Sequence, residues 1–257
     1  LKQGSALSAN NIFNINDFII SFPLFPKTAM MIGITPYSST GYAFDYYETN
    51  KEVLGTVGNV NHSYTGQGSM YQIFAAGGIT LFDRLSIGAQ YIHYTGNLEK
   101  NYTQTISDAA ALGLDGVSEM ILSANTAKLG LQYEQEFSNK FKMVLGATYK
   151  FDTRLNGYIN NTLTSGQASI SSSSDTLSHM SSPLRLGDEV AVGLGIVYNR
   201  KFRAEVDYTR SDWSKSGFEK QRGFSVNGVG GAPIFTSGVS ESIRFGMEYI
   251  PRPNDVR

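Results

Sequence analysis

A transmembrane antiparallel β-barrel is the fold class this sequence predicts, and three observations predict it. Apolar and polar residues alternate with a period of two along almost the whole chain, the repeat of a strand and not of a helix. Several alternating segments, such as 85–106 and 141–163, run to about 20 residues, whereas strands of water-soluble domains centre on roughly 5–6. The connections alternate between short turns and long polar links, the asymmetry of outer-membrane barrels.

About nine strands follow from the pattern, ordered short turn, long link, short turn. The short turns are Pro26-Lys27, Asp83-Arg84, Ser138 to Lys140, Asn199 to Lys201, and Pro251 to Asp255. The long links fall near 48–58, 107–117, 164–183 and 218–236, and their Ser, Gly, Asn and Asp suit exposed loops. The SISSSSD stretch reads as a mobile low-complexity loop. Between these links the rows are clear. Leu85, Ile87, Ala89 and Tyr91 alternate with Ser86, Gly88 and Gln90. Leu129, Leu131, Tyr133 and Phe137 stand against Lys128, Gly130, Gln132, Glu134 and Glu136. Met143, Leu145, Ala147, Tyr149 and Phe151 form the next apolar row. Val190 to Tyr198, Phe202 to Tyr208 and Ile243 to Tyr249 repeat the design. The apolar rows are expected to meet lipid and the polar rows the lumen.

Tyrosine placement adds a membrane signature. Tyr133, Tyr198 and Tyr249 lie near the short turns, and Tyr91, Tyr149 and Tyr208 come further along the strands that leave those turns. Two such sets predict aromatic girdles at the two interfaces. Gly88, Gly130, Gly146, Gly195 and Gly246 each precede a Tyr by three residues, on the polar row. They leave room for long inward side chains or relieve curvature.

Composition narrows the function classes. Charged residues make up 17% of the 257, below the roughly 25% usual in soluble domains. The net charge of -1 offers no field for nucleic acid. Without Cys there is no disulfide frame, zinc-thiolate site or Cys nucleophile. No apolar run approaches the roughly 20 residues of a membrane-spanning helix. The ends carry no signal peptide and read as those of a partial chain.

No catalytic, cofactor or metal constellation emerges. The three His, His62, His93 and His179, do not combine with a Ser and a carboxylate, and His93 reads as a rim or lumen residue. Glu134 and Glu136 share one strand face, too few oxygens for calcium, with Lys150 and Arg154 expected as their partners. Gly230-Gly231 is too short for a phosphate loop. Function is better sought on the inward row, where Glu134, Lys150, Asp152, Arg154, Glu205, Asp207, Arg244 and Glu248 are expected to face the lumen. Their mixed signs suggest a salt-bridged network and not a one-sign ion filter. Pro36, and Gly66 with Gly68, are expected to interrupt two neighbouring strands, either opening the wall sideways or forming bulges.

GITPYSSTGYAF, DYTRSDWSKSGF and RFGMEYIPRPNDVR resemble segments of the FadL/TodX family of outer-membrane transport proteins, the best of them running from Tyr208 through Asp212-Trp213-Ser214. The resemblance extends from about residue 28 onward, closest to an uncharacterised branch. It implies a FadL-like barrel of about 14 strands with an N-terminal plug, passing hydrophobic molecules such as fatty acids. Residues 1–257 are then a single barrel domain lacking the plug and the last strands, and no ligand residue carries over. The resemblance implies a passive channel in the outer membrane of a Gram-negative bacterium, with long loops extracellular and short turns periplasmic. A non-transporting barrel subunit of a secretion or assembly complex stands as the alternative. Partners are membrane lipid, a hydrophobic small molecule, and other outer-membrane or surface proteins; no nucleic acid is expected.

Overall fold

The structure, a computed structural model, describes residues 2–3, 6–7, 16–107, 112–166, 168–177, 183–220 and 236–251. In chain order the elements are β1 (Lys2–Gln3), β2 (Ala6–Leu7), β3 (Phe18–Phe25), β4 (Thr28–Ser39), β5 (Tyr42–Tyr47), α1 (Lys51–Val57), β6 (Val60–Leu81), β7 (Leu85–Ile106) and β8 (Leu114–Ser138). They continue with β9 (Phe141–Lys150), β10 (Thr153–Arg154), β11 (Asn156–Ser165), β12 (Ala168–Thr176), β13 (Arg185–Leu186), β14 (Asp188–Tyr198), β15 (Phe202–Asp212) and β16 (Val239–Tyr249). The wall is an antiparallel meander running β3-β4-β6-β7-β8-β9-β14-β15-β16, the nine-strand path expected. Three more strands join the same sheet away from that path: β5 on β6, β11 on β8, and β12 on β11.

Tight turns set the register. Phe82 and Asp83 (φ 50° and 62°) and Asn199 and Arg200 (φ 53° and 57°) both have left-handed backbones. The turns close through Arg84 N–H to the Leu81 carbonyl at 3.2 Å and Lys201 N–H to the Tyr198 carbonyl at 3.0 Å. Such primed turns match the right-handed twist of the strands they join. The ladders that follow carry one face across the sheet without slippage. Leu131, Ala147, Val192, Tyr208 and Ile243 form one transverse row. The next row, Gln132, Gly146, Gly193, Asp207 and Arg244, faces the other way.

The first face is an apolar belt. Leu129, Leu131, Leu145, Val192 and Phe245 are all exposed on it, an area no water-soluble surface tolerates and one hydrocarbon solvates. The belt has an upper limit. On β7 the outward residues change from Leu85, Ile87, Ala89 and Tyr91 to His93, Thr95, Asn97 and Glu99. There the Tyr91 hydroxyl donates to Asn125 at 2.6 Å, and Asn97 donates to Glu119 at 3.1 Å. His93 hydrogen-bonds to Asn125 at 2.8 Å on this outward face, at the rim and not in the lumen. Beyond this line β6, β7 and β8 continue as a tall sheet, broadened by β5, β11 and β12.

Four expectations need correction. The segment 141–163 is not one strand: β9 ends at Lys150 and β11 resumes at Asn156. Side chains hold the break, with the Thr126 hydroxyl donating to the Phe151 carbonyl at 2.7 Å and the Thr153 hydroxyl to the Asn125 carbonyl at 2.6 Å. The SISSSSD stretch is no loop but lies in β12, because its backbone completes the β11 ladder. Link 48–58 holds α1, capped by Asn50, whose side chain accepts from Glu52 N–H at 3.0 Å. Gly66 and Gly68 do not interrupt β6, which pairs with β7 unbroken from Val60 to Leu81. They prevent clashes instead: a Cβ on Gly66 would lie 2.4 Å from the Tyr42 ring, and one on Gly68 (φ 106°) 2.1 Å from the Asn97 carbonyl oxygen. Most of link 218–236, the turn beyond Pro251, His179 and Gly230-Gly231 lie outside the described residues.

Leu145→Arg tests the assignment of faces. A cation near the middle of the belt is expected to cost about 2–4 kcal/mol. Folding into lipid vesicles, followed by heat-modified gel mobility, is expected to fall sharply. Wild-type folding of the variant contradicts a lipid-facing Leu145.

Candidate functional site in the interior

The second face curves round a hollow of about 640 Å³ that reaches from Gly78 on β6 to Arg244 on β16. Bare backbone makes it: Gly78, Gly88 and Gly130 adjoin one another across three strands, and Gly146 adjoins Gly193. Gly193 is the tight position, since a Cβ there would sit 2.3 Å from an Asp207 carboxylate oxygen. Of the five glycines picked out by their spacing to Tyr, Gly246 has a long side chain beside it: a Cβ there would lie 3.4 Å from the Glu205 carboxylate. Gly146 has open space in front of it, and Gly193 carries no such spacing signal.

The register puts Glu134, Lys150, Glu205, Asp207, Arg244 and Glu248 on this inward face. Asp152 and Arg154 follow at the break after β9. The pairings differ from those expected. Glu134 binds Lys142 at 2.5 Å, while Lys150 lies further along the ladder opposite Lys128. Lys150 and Lys128 instead share Glu189, at 3.9 and 3.3 Å. Asp152 pairs with Arg185, and Glu248 with Arg203 at 3.4 Å. Arg154 donates to the Leu177 carbonyl at 3.2 Å. Separation along a strand decides these pairs, because Lys150 lies six positions along the ladder from Glu134, about 20 Å, and no side chain reaches that far. Glu189, the hub, carries no signal in the sequence beyond its place on an alternating strand.

Above the hollow the interior turns apolar. Met70, Phe74, Ile92, Tyr94, Leu122 and Ala124 line the inward face of β6, β7 and β8. Leu155, Leu177, Leu184 and Leu186, from the segment between β9 and β14, cover them, and none is more than 4% exposed. A two-residue ladder between β10 and β13 and the Leu155 N–H bond to the Leu184 carbonyl at 2.8 Å hold this segment in place. Each buried leucine contributes about 1.5–3 kcal/mol, so the wall and its inner segment are one packed unit. Pro36 acts here. The ladder passes from Pro36 to Ser38 and skips Tyr37, a bulge in a continuous wall. The Tyr37 ring packs on Tyr94 at 4.6 Å, and the Lys150 ammonium lies 5.9 Å from its centroid.

On the outward face Tyr91, Tyr133, Tyr149, Tyr198 and Tyr249 are exposed, and the Tyr208 hydroxyl donates to Glu241 at 2.6 Å. Phe141, Tyr198, Phe202 and Tyr249 make a transverse aromatic row next to the short turns. Tyr133 adjoins Leu145, four positions further along. Among the described residues no cluster of His, Asp or Glu could hold a metal ion. His62 hydrogen-bonds to the Tyr102 hydroxyl at 2.9 Å.

The BamG family matches residues 1–257, the whole chain. The wall is similar to the crystal structure of the toluene transporter TbuX of Ralstonia pickettii, with a TM-score of 0.54 and 14% identity. The likeness covers 93% of this chain and 65% of that one. It shows a FadL-like β-barrel fold. No curated protein matches the chain in sequence.

Glu189→Gln leaves Lys128 and the buried Lys150 facing each other with one charge removed. Stability in lipid vesicles is expected to fall by about 3 kcal/mol, read from the urea midpoint. Glu248→Gln breaks an exposed pair and is expected to cost less than about 1 kcal/mol. Equal effects of the two contradict a special role for the Glu189 hub.

Proposed function

The chain belongs to the BamG family, and on that premise we propose that it serves as a structural, non-transporting barrel subunit of a multi-protein outer-membrane assembly complex. One observation carries the reading: the chain's own segment between β9 and β14 packs Leu155, Leu177, Leu184 and Leu186 against the inner wall above the hollow. A conduit needs that space free. The family name points the same way. The tall sheet beyond the apolar belt supplies surface for other proteins, and membrane lipid covers the belt. Nothing in this role requires a catalytic step. The long links and tall sheet are assigned to the outside of the cell and the short turns to the periplasm.

A second reading has its own support. A passive channel for hydrophobic molecules such as fatty acids fits the fold likeness to TbuX, itself a toluene transporter. An open hollow of about 900 Å³ between β3, β4 and β6 at the turn end, whose lining includes Leu24, Phe25, Met31 and Ala76, suits such a solute.

Uptake separates the readings. Vesicles containing the protein are expected to take up toluene and oleate no faster than protein-free vesicles, while mild-detergent extraction of native membranes recovers it with other outer-membrane proteins in fixed ratio. Faster uptake together with recovery as a lone chain overturns the subunit role in favour of the channel. Orientation is checked by single cysteines, since the chain has none of its own. Ser171→Cys is expected to react with an impermeant maleimide on intact cells, and Asn139→Cys only after the outer membrane is opened. The reverse pattern inverts the topology.

A further inference from the structure

Above the apolar belt, β5 is one edge of the tall sheet and β12 the other. β5 pairs with β6 on one side, and among the described residues no strand lies on its other side. Its sequence is YAFDYY, and all six residues are exposed. The backbone pattern tells which groups are free. Thr40 N–H bonds the Gly68 carbonyl at 2.9 Å, and Glu48 N–H the Val60 carbonyl at 3.0 Å, bracketing the strand. Antiparallel bonding alternates, so Tyr42, Phe44 and Tyr46 direct their backbone groups to β6. Ala43, Asp45 and Tyr47 therefore direct theirs away from the sheet, outside the membrane.

The side chains extend the pattern. Phe44, Tyr64 and Tyr102 adjoin one another on β5, β6 and β7 with centroids 5.0 Å apart at each step. The stack ends at Phe44, which is 54% exposed, with Tyr42 and Tyr46 beside it. Asp45, the one charged residue of β5, projects from the opposite face at mid-strand. Native proteins cover, shorten or heavily charge such edges because each is a template for another strand. A single carboxylate among four aromatic rings blunts this edge little.

Resting on the subunit role proposed above, we propose that the free edge of β5 takes up an extended segment of a partner protein as an added strand. Main-chain bonds from Ala43, Asp45 and Tyr47 supply the affinity. The side chains choose the partner: an aromatic residue opposite Phe44 continues the stack, and a Lys or Arg opposite Asp45 answers its charge. The occupant is thus an extended segment in which aromatic and basic residues alternate.

A peptide of alternating Phe and Lys, fluorescently labelled, tests this on the full chain in detergent micelles. Binding is expected. N-methylating alternate peptide residues on the edge-facing side is expected to weaken it at least about tenfold, as is Asp45→Pro, which removes one outward N–H and leaves the β6 ladder intact. Asp45→Asn tests the charge and is expected to weaken Lys peptides but not their norleucine counterparts. Hydrogen exchange of the Ala43, Asp45 and Tyr47 amides is expected to be fast without peptide and slowed with it. Binding indifferent to N-methylation and to Asp45→Pro overturns the proposal, as does slow exchange of these amides in the protein alone, which means that the chain or a second copy already covers the edge. Co-extraction with other outer-membrane proteins is scored separately. Its loss in the wild type sinks the subunit role, whereas its persistence with no peptide binding sinks only the use of β5.

Discussion

Every backbone amide and carbonyl in hydrocarbon has to find its partner within the protein, and the rest of this structure follows from that demand. Strands meet it only side by side, in unbroken ladders. Once the ladders are continuous, side chains alternate between lipid and interior with no freedom to slip, because a shift of one residue exchanges the two faces. The transverse row from Leu131 to Ile243 and its neighbour from Gln132 to Arg244 are this rule carried across five strands. The glycines and the bulge at Pro36 keep the ladders continuous where side chains crowd. Gly68 spares the Asn97 carbonyl, and the bulge frees Tyr37 to turn inward without opening the wall.

Where the belt ends, the demand relaxes and the chain uses the freedom. β8 pairs with β9 from Lys128 to Ser138 and with β11 from Leu114 to Ser123. Between those partners the chain steps off the wall, and the later part of that excursion returns to cover the inward face of β6, β7 and β8. Charge and apolar packing divide the interior accordingly. The Lys128–Glu189–Lys150 group lies at the boundary, with the hollow below it and the leucines above. Interior packing divides the barrel's inner face into a polar hollow and an apolar, filled part.

Much of the wall was legible in the sequence because its cause is local. A period of two needs only neighbouring residues, and the short turns carry their own signals, as at Asn199. The inward face of Glu205, Asp207, Arg244 and Glu248 follows from counting alternate positions. The site was less legible. Which charges pair depends on register: across the β8–β9 turn Glu134 meets Lys142, while Lys150 meets Glu189 on a strand distant in sequence, a residue the sequence does not single out. The leucines of the inner segment look like loop residues, since nothing nearby in the chain announces what covers them.

By itself, then, the sequence determined the antiparallel wall, its lipid-facing and inward-facing rows, and the side on which the connections are long. Those are properties of alternation and length. Only the tertiary structure decided that the chain leaves the wall after Lys150, that serines 171–174 build a strand, that Leu155, Leu177, Leu184 and Leu186 occupy the interior, and that β5 has no strand on its second edge among the described residues. The inner packing depends on contacts between residues distant in sequence, whose free energy exists only once the ladders have brought them together; the serine strand is a local hairpin on β11, whose run of like residues carries no alternation to announce it.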